Sequence, residues 1–210
     1  MFVKKSIQSY IETLASRKPI PGGGSVCALS GTLGVGLLLM VVNFTLGKES
    51  YKCHFREISV MLKRLTRLKE RLTGLIDRDS QTYLFIVKAY KLPKDTTRKE
   101  ALRKKKIQEA LKKSTAVTLE ILIHSAQALT MSKRLLDIGN KNLISDVGVG
   151  AVMLESAIKG ALLNIEINLA GIKDNRFSSD IQIKVKNIVD EAKKVAYEVI
   201  THTSERIANK

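Results

Sequence analysis

From Val26 to Gly47 the chain carries no charged residue, and a run of that length is the strongest single constraint on its fold. It is long enough to cross a bilayer core, with Lys18 and Lys48 as flanks, or to form the buried central helix of a helical bundle. Ser25, Thr32, Gly36 and Asn43 fall within about 20° of one another at roughly 100° per residue, a small and polar stripe that lipid does not call for. Gly31 and Gly34 let a second backbone approach, which suits a membrane helix pair or a tightly packed bundle. The stripe favours the bundle. Ahead of the run, Pro19 and Pro21 block helix, Gly22, Gly23 and Gly24 free the backbone, and Ser25 is suited to cap the helix that follows. The unpaired N–H groups at such a helix start face a phosphate or carboxylate, so Gly22 to Ser25 are candidate substrate-binding residues.

Elsewhere the apolar residues recur at helical rather than alternating spacing, and no Pro/Ser/Gly-rich linker divides the 210 residues. The expectation is an all-α fold, a single domain over residues 1–210 built as a bundle of about six mostly long helices around a buried central apolar helix. Cys27 and Cys53 lack paired-ligand spacing, and His54, His124 and His202 are scattered, so neither structural disulfides nor a metal site is expected. His124 reads as a satisfied core histidine. The start Met1-Phe2-Val3-Lys4-Lys5 has no apolar signal core, which makes a cytoplasmic location the expectation. A net charge of +16 invites a nucleic-acid partner, yet the richest cluster, Arg98 to Lys106, has no interleaved aromatic residues on which bases could stack. It reads as a solvated helix face, and nucleic acid is not expected.

Two carboxylates stand out along the chain. A periodic segment runs from Glu49 to about Tyr90, and Asp79 sits on its apolar stripe between Ile76 and Tyr83. Either the helix breaks near Asp77 to Ser80 and the acid is solvated, or the helix continues and the carboxylate must be paired or pushed towards its neutral form. A later segment opens at Ser145, a cap candidate, and places Asp146, Gly150, Ala157, Asn164 and Asn168 within about 40° of one line. Asp146 could equally be a first-turn acid that complements the helix dipole. Nucleotide fingerprints fit poorly: the glycines follow prolines instead of a strand, and Gly47-Lys48 lacks the next Ser/Thr of a P-loop.

Pro19-Ile20-Pro21-Gly22-Gly23-Gly24-Ser25 with Asn43-Phe44-Thr45-Leu46-Gly47-Lys48 resembles the opening of the cyclodeaminase/cyclohydrolase family of folate enzymes. Ala89 to Lys94, Gly139-Asn140, Ile144 to Val149 and Leu163 to Leu169 extend that resemblance in order over nearly the whole chain. The resemblance implies an all-helical homodimer off the membrane, with a tetrahydrofolate derivative, including polyglutamylated forms, as substrate and no separate cofactor. It implies one of two reactions. One closes 5-formiminotetrahydrofolate to 5,10-methenyltetrahydrofolate with loss of ammonia; the other hydrolyses the methenyl compound to 10-formyltetrahydrofolate. It covers no formiminotransferase region, so formiminofolate is expected from another enzyme. Both reactions pass through a tetrahedral carbon between two folate nitrogens and need a proton-transfer group. Asp146 is the first catalytic candidate and Asp79 the second, with Asn43 and Asn164 as orienting amides and Lys48 for the glutamyl carboxylate. The alternative is a non-catalytic basic helical interaction protein of the same fold.

Overall fold

The computed structural model describes residues 1–209. Its helices are α1 (Ile7–Leu14), α2 (Gly23–Thr45), α3 (Phe55–Tyr90), α4 (Thr97–Ile138), α5 (Ile144–Ala170) and α6 (Asn175–Ala208), with short 3-10 turns at Phe2–Lys4, Glu49–His54 and Lys141–Leu143. Among the described residues there are no strands. Helices α2 to α5 form a four-helix bundle in which α2 packs on α3, α4 and α5, while α6 lies across α4 and α5. The expected all-helical bundle with a buried apolar helix is what forms: Val35, Leu38, Val41 and Val42 of α2 are fully enclosed. One side of α2 nevertheless stays open.

Local chemistry explains most helix starts. Ser6, Thr96 and Asp174 each accept a backbone N–H from the first turn of α1, α4 and α6, which stabilises each end by roughly 0.5–2 kcal/mol. Helix α2 is different: its N-cap is Gly22, with no side-chain cap, and the helix begins ahead of Ser25. Ser25 is therefore inside the first turn and fully buried, not the cap that its sequence position suggested. Likewise α5 starts at Ile144, so Ser145 is not its cap. The expected stripe on α2 is split, with Ser25 turned into the bundle, Thr32 back-bonded to the Ala28 carbonyl and Asn43 exposed. His124 is half-buried at the surface beside Gln127 and is not a core residue.

Helices α2 and α5 run antiparallel and meet at their glycines. A Cβ on Gly34 would stand 2.7 Å from Leu154 Cγ and 2.9 Å from the Gly150 carbonyl oxygen, so the crossing exists only because both residues lack side chains. Gly34→Ala is expected to destabilise the fold by about 1–3 kcal/mol through overpacking. Gly74, inside α3, has open space around it. Gly74→Ala should leave stability unchanged or raise it by up to about 1 kcal/mol, since alanine is the better helix former. Urea unfolding of both variants checks the pair; equal effects would contradict the crossing.

Candidate active site

Because α2 starts at Gly23 while α3, α4 and α5 continue past it, the bundle is left with a gap above the α2 N-terminus. That gap is a cleft of about 240 Å³. Its floor is Gly22, Gly23 and Gly24, and its walls include Asp79 and Tyr83 from α3, Ser114 and Thr118 from α4, and Asn164, Ile167 and Asn168 from α5. Pro19 and Ile20 form the rim, and the Ile20–Pro21 peptide is cis.

The acid on the α3 apolar stripe ends up here. Helix α3 does not break at Asp77 to Ser80: Ser80 and Thr82 bond back to carbonyls of their own helix, and Asp79 is 8% exposed. Burial pushes its carboxyl up to about 6, against the pull of the Ser25 backbone N–H, which favours the charged form. Asp79 thus takes the place of the missing N-cap of α2, from a different helix. The approach is close: a Cβ on Gly24 would stand 2.1 Å from Asp79 Oδ1. Across the floor, Asn164 Nδ2 and Oδ1 lie 3.2 and 3.3 Å from the point a Gly23 Cβ would occupy, and Asn164 Nδ2 donates to the Gly160 carbonyl. Asn168 Nδ2 donates to Ser114 Oγ at 3.2 Å, joining α5 to α4 along the wall.

A second layer supports the floor. The Tyr10 hydroxyl lies 3.0 Å from Ser25 Oγ, and the Phe2 N–H donates to the buried Asp77, so the N-terminal segment is tied to both helices that carry the site. Burial raises the Tyr10 pKa, partly offset by the Ser25 hydrogen bond, and the nearby Asp79 charge adds to the rise. Tyr10, Ser114 and Thr118 were not legible as site residues. The only hint of Ser114 and Thr118 is two hydroxyls four residues apart, on one face of a helix whose neighbouring positions are apolar.

The structure therefore brings together Gly22, Gly23, Gly24, Ser25, Asp79 and Asn164. It does not bring Asp146, Asn43 or Lys48 to them within one chain. Asp146 is half-buried in the first turn of α5, about 27 Å from Asn164 at roughly 1.5 Å per residue, and Asn43 and Lys48 lie exposed at the matching far end of α2. Among the described residues no group of His, Cys, Asp and Glu side chains is placed to hold a metal ion.

The chain is 34% identical over 188 residues to the methenyltetrahydrofolate cyclohydrolase of Methylorubrum extorquens, covering 90% of each. It is 30% identical over 208 residues to the formimidoyltransferase-cyclodeaminase of Sus scrofa, covering 97% of this chain but only 38% of the pig protein. The crystal structure of formiminotetrahydrofolate cyclodeaminase from Thermotoga maritima superposes with a TM-score of 0.87, covering 98% of both chains at 25% identity. The sequence profile described as Formiminotransferase-cyclodeaminase matches residues 6–187, and the chain belongs to that family.

Proposed function

We propose that the cleft binds a one-carbon tetrahydrofolate and that Asp79 moves the protons of its ring closure or opening. The reaction is closure of 5-formiminotetrahydrofolate to the 5,10-methenyl compound with release of ammonia, or hydrolysis of the methenyl compound to 10-formyltetrahydrofolate. The observation that carries the reading is the buried carboxyl held near 6 at the uncapped start of α2, facing an amide across a cleft. A group with that pKa can give or accept a proton at neutral pH.

In the closure, folate N10 attacks the protonated formimino carbon and a tetrahedral carbon forms between N5 and N10. The Asp79 carboxylate takes the proton from N10 and returns it to the amino nitrogen, which leaves as ammonia, and the methenyl cation remains. The negative carboxylate then lies beside the cation it helped to form. In the hydrolysis the same carboxylate takes a proton from water as it adds to the methenyl carbon and gives it to N5 as the C–N5 bond breaks, while the remaining hydroxyl proton is lost to solvent and the formyl group stays on N10. Asn164 orients the pterin or the water, and the Gly23 and Gly24 N–H groups, at an end where helices leave donors unpaired, receive a substrate oxygen.

A non-catalytic interaction protein has no use for this acid. Holding a carboxyl near 6 instead of about 3.9 costs the fold on the order of 3 kcal/mol at neutral pH, a cost that selection for packing alone would remove. The test is kcat/KM against pH for the purified protein with each folate substrate. The expected profile bends near pH 6 as Asp79 ionises; a profile flat from pH 5 to 7.5 contradicts the role.

A further inference from the structure

Helices α3 and α4 are tied across their outer seam by two ion pairs. Arg134 of α4 donates to both carboxylate oxygens of Glu57 at 2.7 and 2.9 Å, and Arg78 of α3 donates to Glu120 at 3.0 Å. The pairs fix an antiparallel register, and the positions between them depart from the pattern. At roughly 100° per residue Glu57, Arg64, Arg67, Arg71 and Arg78 share one side of α3 within about 80°, and Glu120, His124, Gln127, Met131 and Arg134 share one side of α4 within about 80°. The middle of the seam therefore sets three arginines against neutral side chains. From Ile121 to Leu136 α4 carries no acid at all. Arg64, Arg67 and Arg71 are exposed, and among the described residues they form no ion pair.

These arginines stand three and four residues apart, spacings at which like charges on a helix repel. The cluster costs the free chain stability, and an anion seated on it offsets that cost. Lysine is the commoner base in this chain, yet every base on this stripe is arginine, whose planar fork pairs with two oxygens of one phosphate. Between the two helices lies a groove of about 540 Å³, within the ~300–1,000 Å³ range of small-molecule sites. Leu68 and Met131, half-buried against the core, line it beside the polar groups of Gln127 and Thr130. His124 Nδ1 lies 3.3 Å from Gln127 Oε1, which orients the ring on the wall opposite the arginines. The groove shares no lining residue with the Asp79 cleft.

We propose that the α3/α4 groove binds a small molecule carrying linked phosphates, a di- or triphosphate, which Arg64, Arg67 and Arg71 hold from one wall and His124 and Gln127 meet from the other. The length of the cationic stretch selects a compact anion. Arg64 to Arg71 spans about 10 Å at roughly 1.5 Å per residue, and the ion pairs of Glu57 and Glu120 close it at both ends. A nucleic-acid strand needs a longer track, ~4–16 nucleotides with aromatic platforms, and no Phe, Tyr or Trp is among the described residues lining the groove. The site stands on these observations and is independent of the folate reading.

The test is isothermal titration of the full chain in about 0.15 M salt, with sodium tripolyphosphate, ATP, penta-L-glutamate and a single-stranded oligouridylate as probes. Tripolyphosphate and ATP should each saturate at one per chain, with penta-L-glutamate at least about tenfold weaker. Tighter binding of ATP than of tripolyphosphate supports the site with a base on Leu68 and Met131; equal affinity supports it with the phosphates alone. Arg67→Gln combined with Arg71→Gln should cost at least about tenfold in affinity, whereas Lys184→Gln with Lys194→Gln, the same charge removed from exposed positions on α6, should change it by less than about twofold.

Unfolding gives a second readout. Tripolyphosphate should raise the Tm of wild type and of the α6 variant more than that of the arginine variant, which without ligand should resist urea at least as well as wild type. Equal losses of affinity in the two double variants would reduce the site to diffuse charge and overturn it. So would the absence of saturable binding, penta-L-glutamate binding as tightly as tripolyphosphate, or oligouridylate bound in preference to ATP.

Discussion

Replacing Asp79 by Asn should nearly abolish turnover and yet make the protein more stable. The amide has the size of the carboxyl and can still accept the Ser25 N–H, so the α2 start and the cleft keep their shape. It cannot take a proton from N10 or from water, and loss of a general acid or base costs about 10²–10⁴ in rate. Substrate affinity should change little.

The stability effect follows from the direction of the pKa. Asp79 titrates near 6 in the folded chain and at about 3.9 unfolded, so the folded state holds its proton more tightly. Relative to the protonated state, stability is lost as pH rises from about 4 through 6, and by pH 7 the loss reaches on the order of 3 kcal/mol. Asp79→Asn removes that loss. Urea unfolding should find the variant more stable at pH 7.5 by up to a few kcal/mol and about equal to wild type at pH 4. A variant that is less stable at both pH values would show that the ionised carboxylate holds the fold together.

The second large effect is expected at Gly24. A methyl group there would stand 2.1, 2.5 and 2.7 Å from Oδ1, Cγ and Oδ2 of Asp79, so the whole carboxyl must move. Nothing nearby is free to absorb the shift: the acid is buried between α2 and α3, and Ser25, next in the chain, is held by Tyr10. Gly24→Ala should lower kcat about as far as Asp79→Asn does and destabilise the fold by about 1–3 kcal/mol. Gly22, by contrast, has nothing within 4 Å of its missing Cβ. Gly22→Ala should retain activity within a few-fold and lose at most about 1 kcal/mol as a poorer cap. Turnover and unfolding measured on both variants check the contrast; full activity in Gly24→Ala would mean that the carboxyl does not sit where the chemistry occurs.

The sequence made the bundle readable because helical spacing and the uncharged Val26 to Gly47 run are local properties. The start of α2 was not readable. Ser25 has the chemistry of a cap, but the side chain that serves the helix end is Asp79, brought from α3 by tertiary packing. Helix α3 likewise looked breakable at Asp77 to Ser80, and it continues because Ser80 and Thr82 satisfy their hydroxyls on carbonyls one turn back. Asp146 and Asn164 share a helical face, which sequence periodicity reports, but about 27 Å separates them along α5, which periodicity ignores. The angular pattern gave the side of the helix without its depth. Asp79 was visible for the opposite reason, as an acid on an apolar stripe.

The measurement that bears most directly on this account is the rate of methenyl formation from 5-formiminotetrahydrofolate and of methenyl decay, followed by absorbance for wild-type and Asp79→Asn proteins at equal folded concentration. Wild type is expected to accelerate at least one of the two reactions, and Asp79→Asn to lose at least a hundredfold in kcat on that reaction with KM nearly unchanged. Wild-type turnover in the Asp79→Asn protein would contradict it.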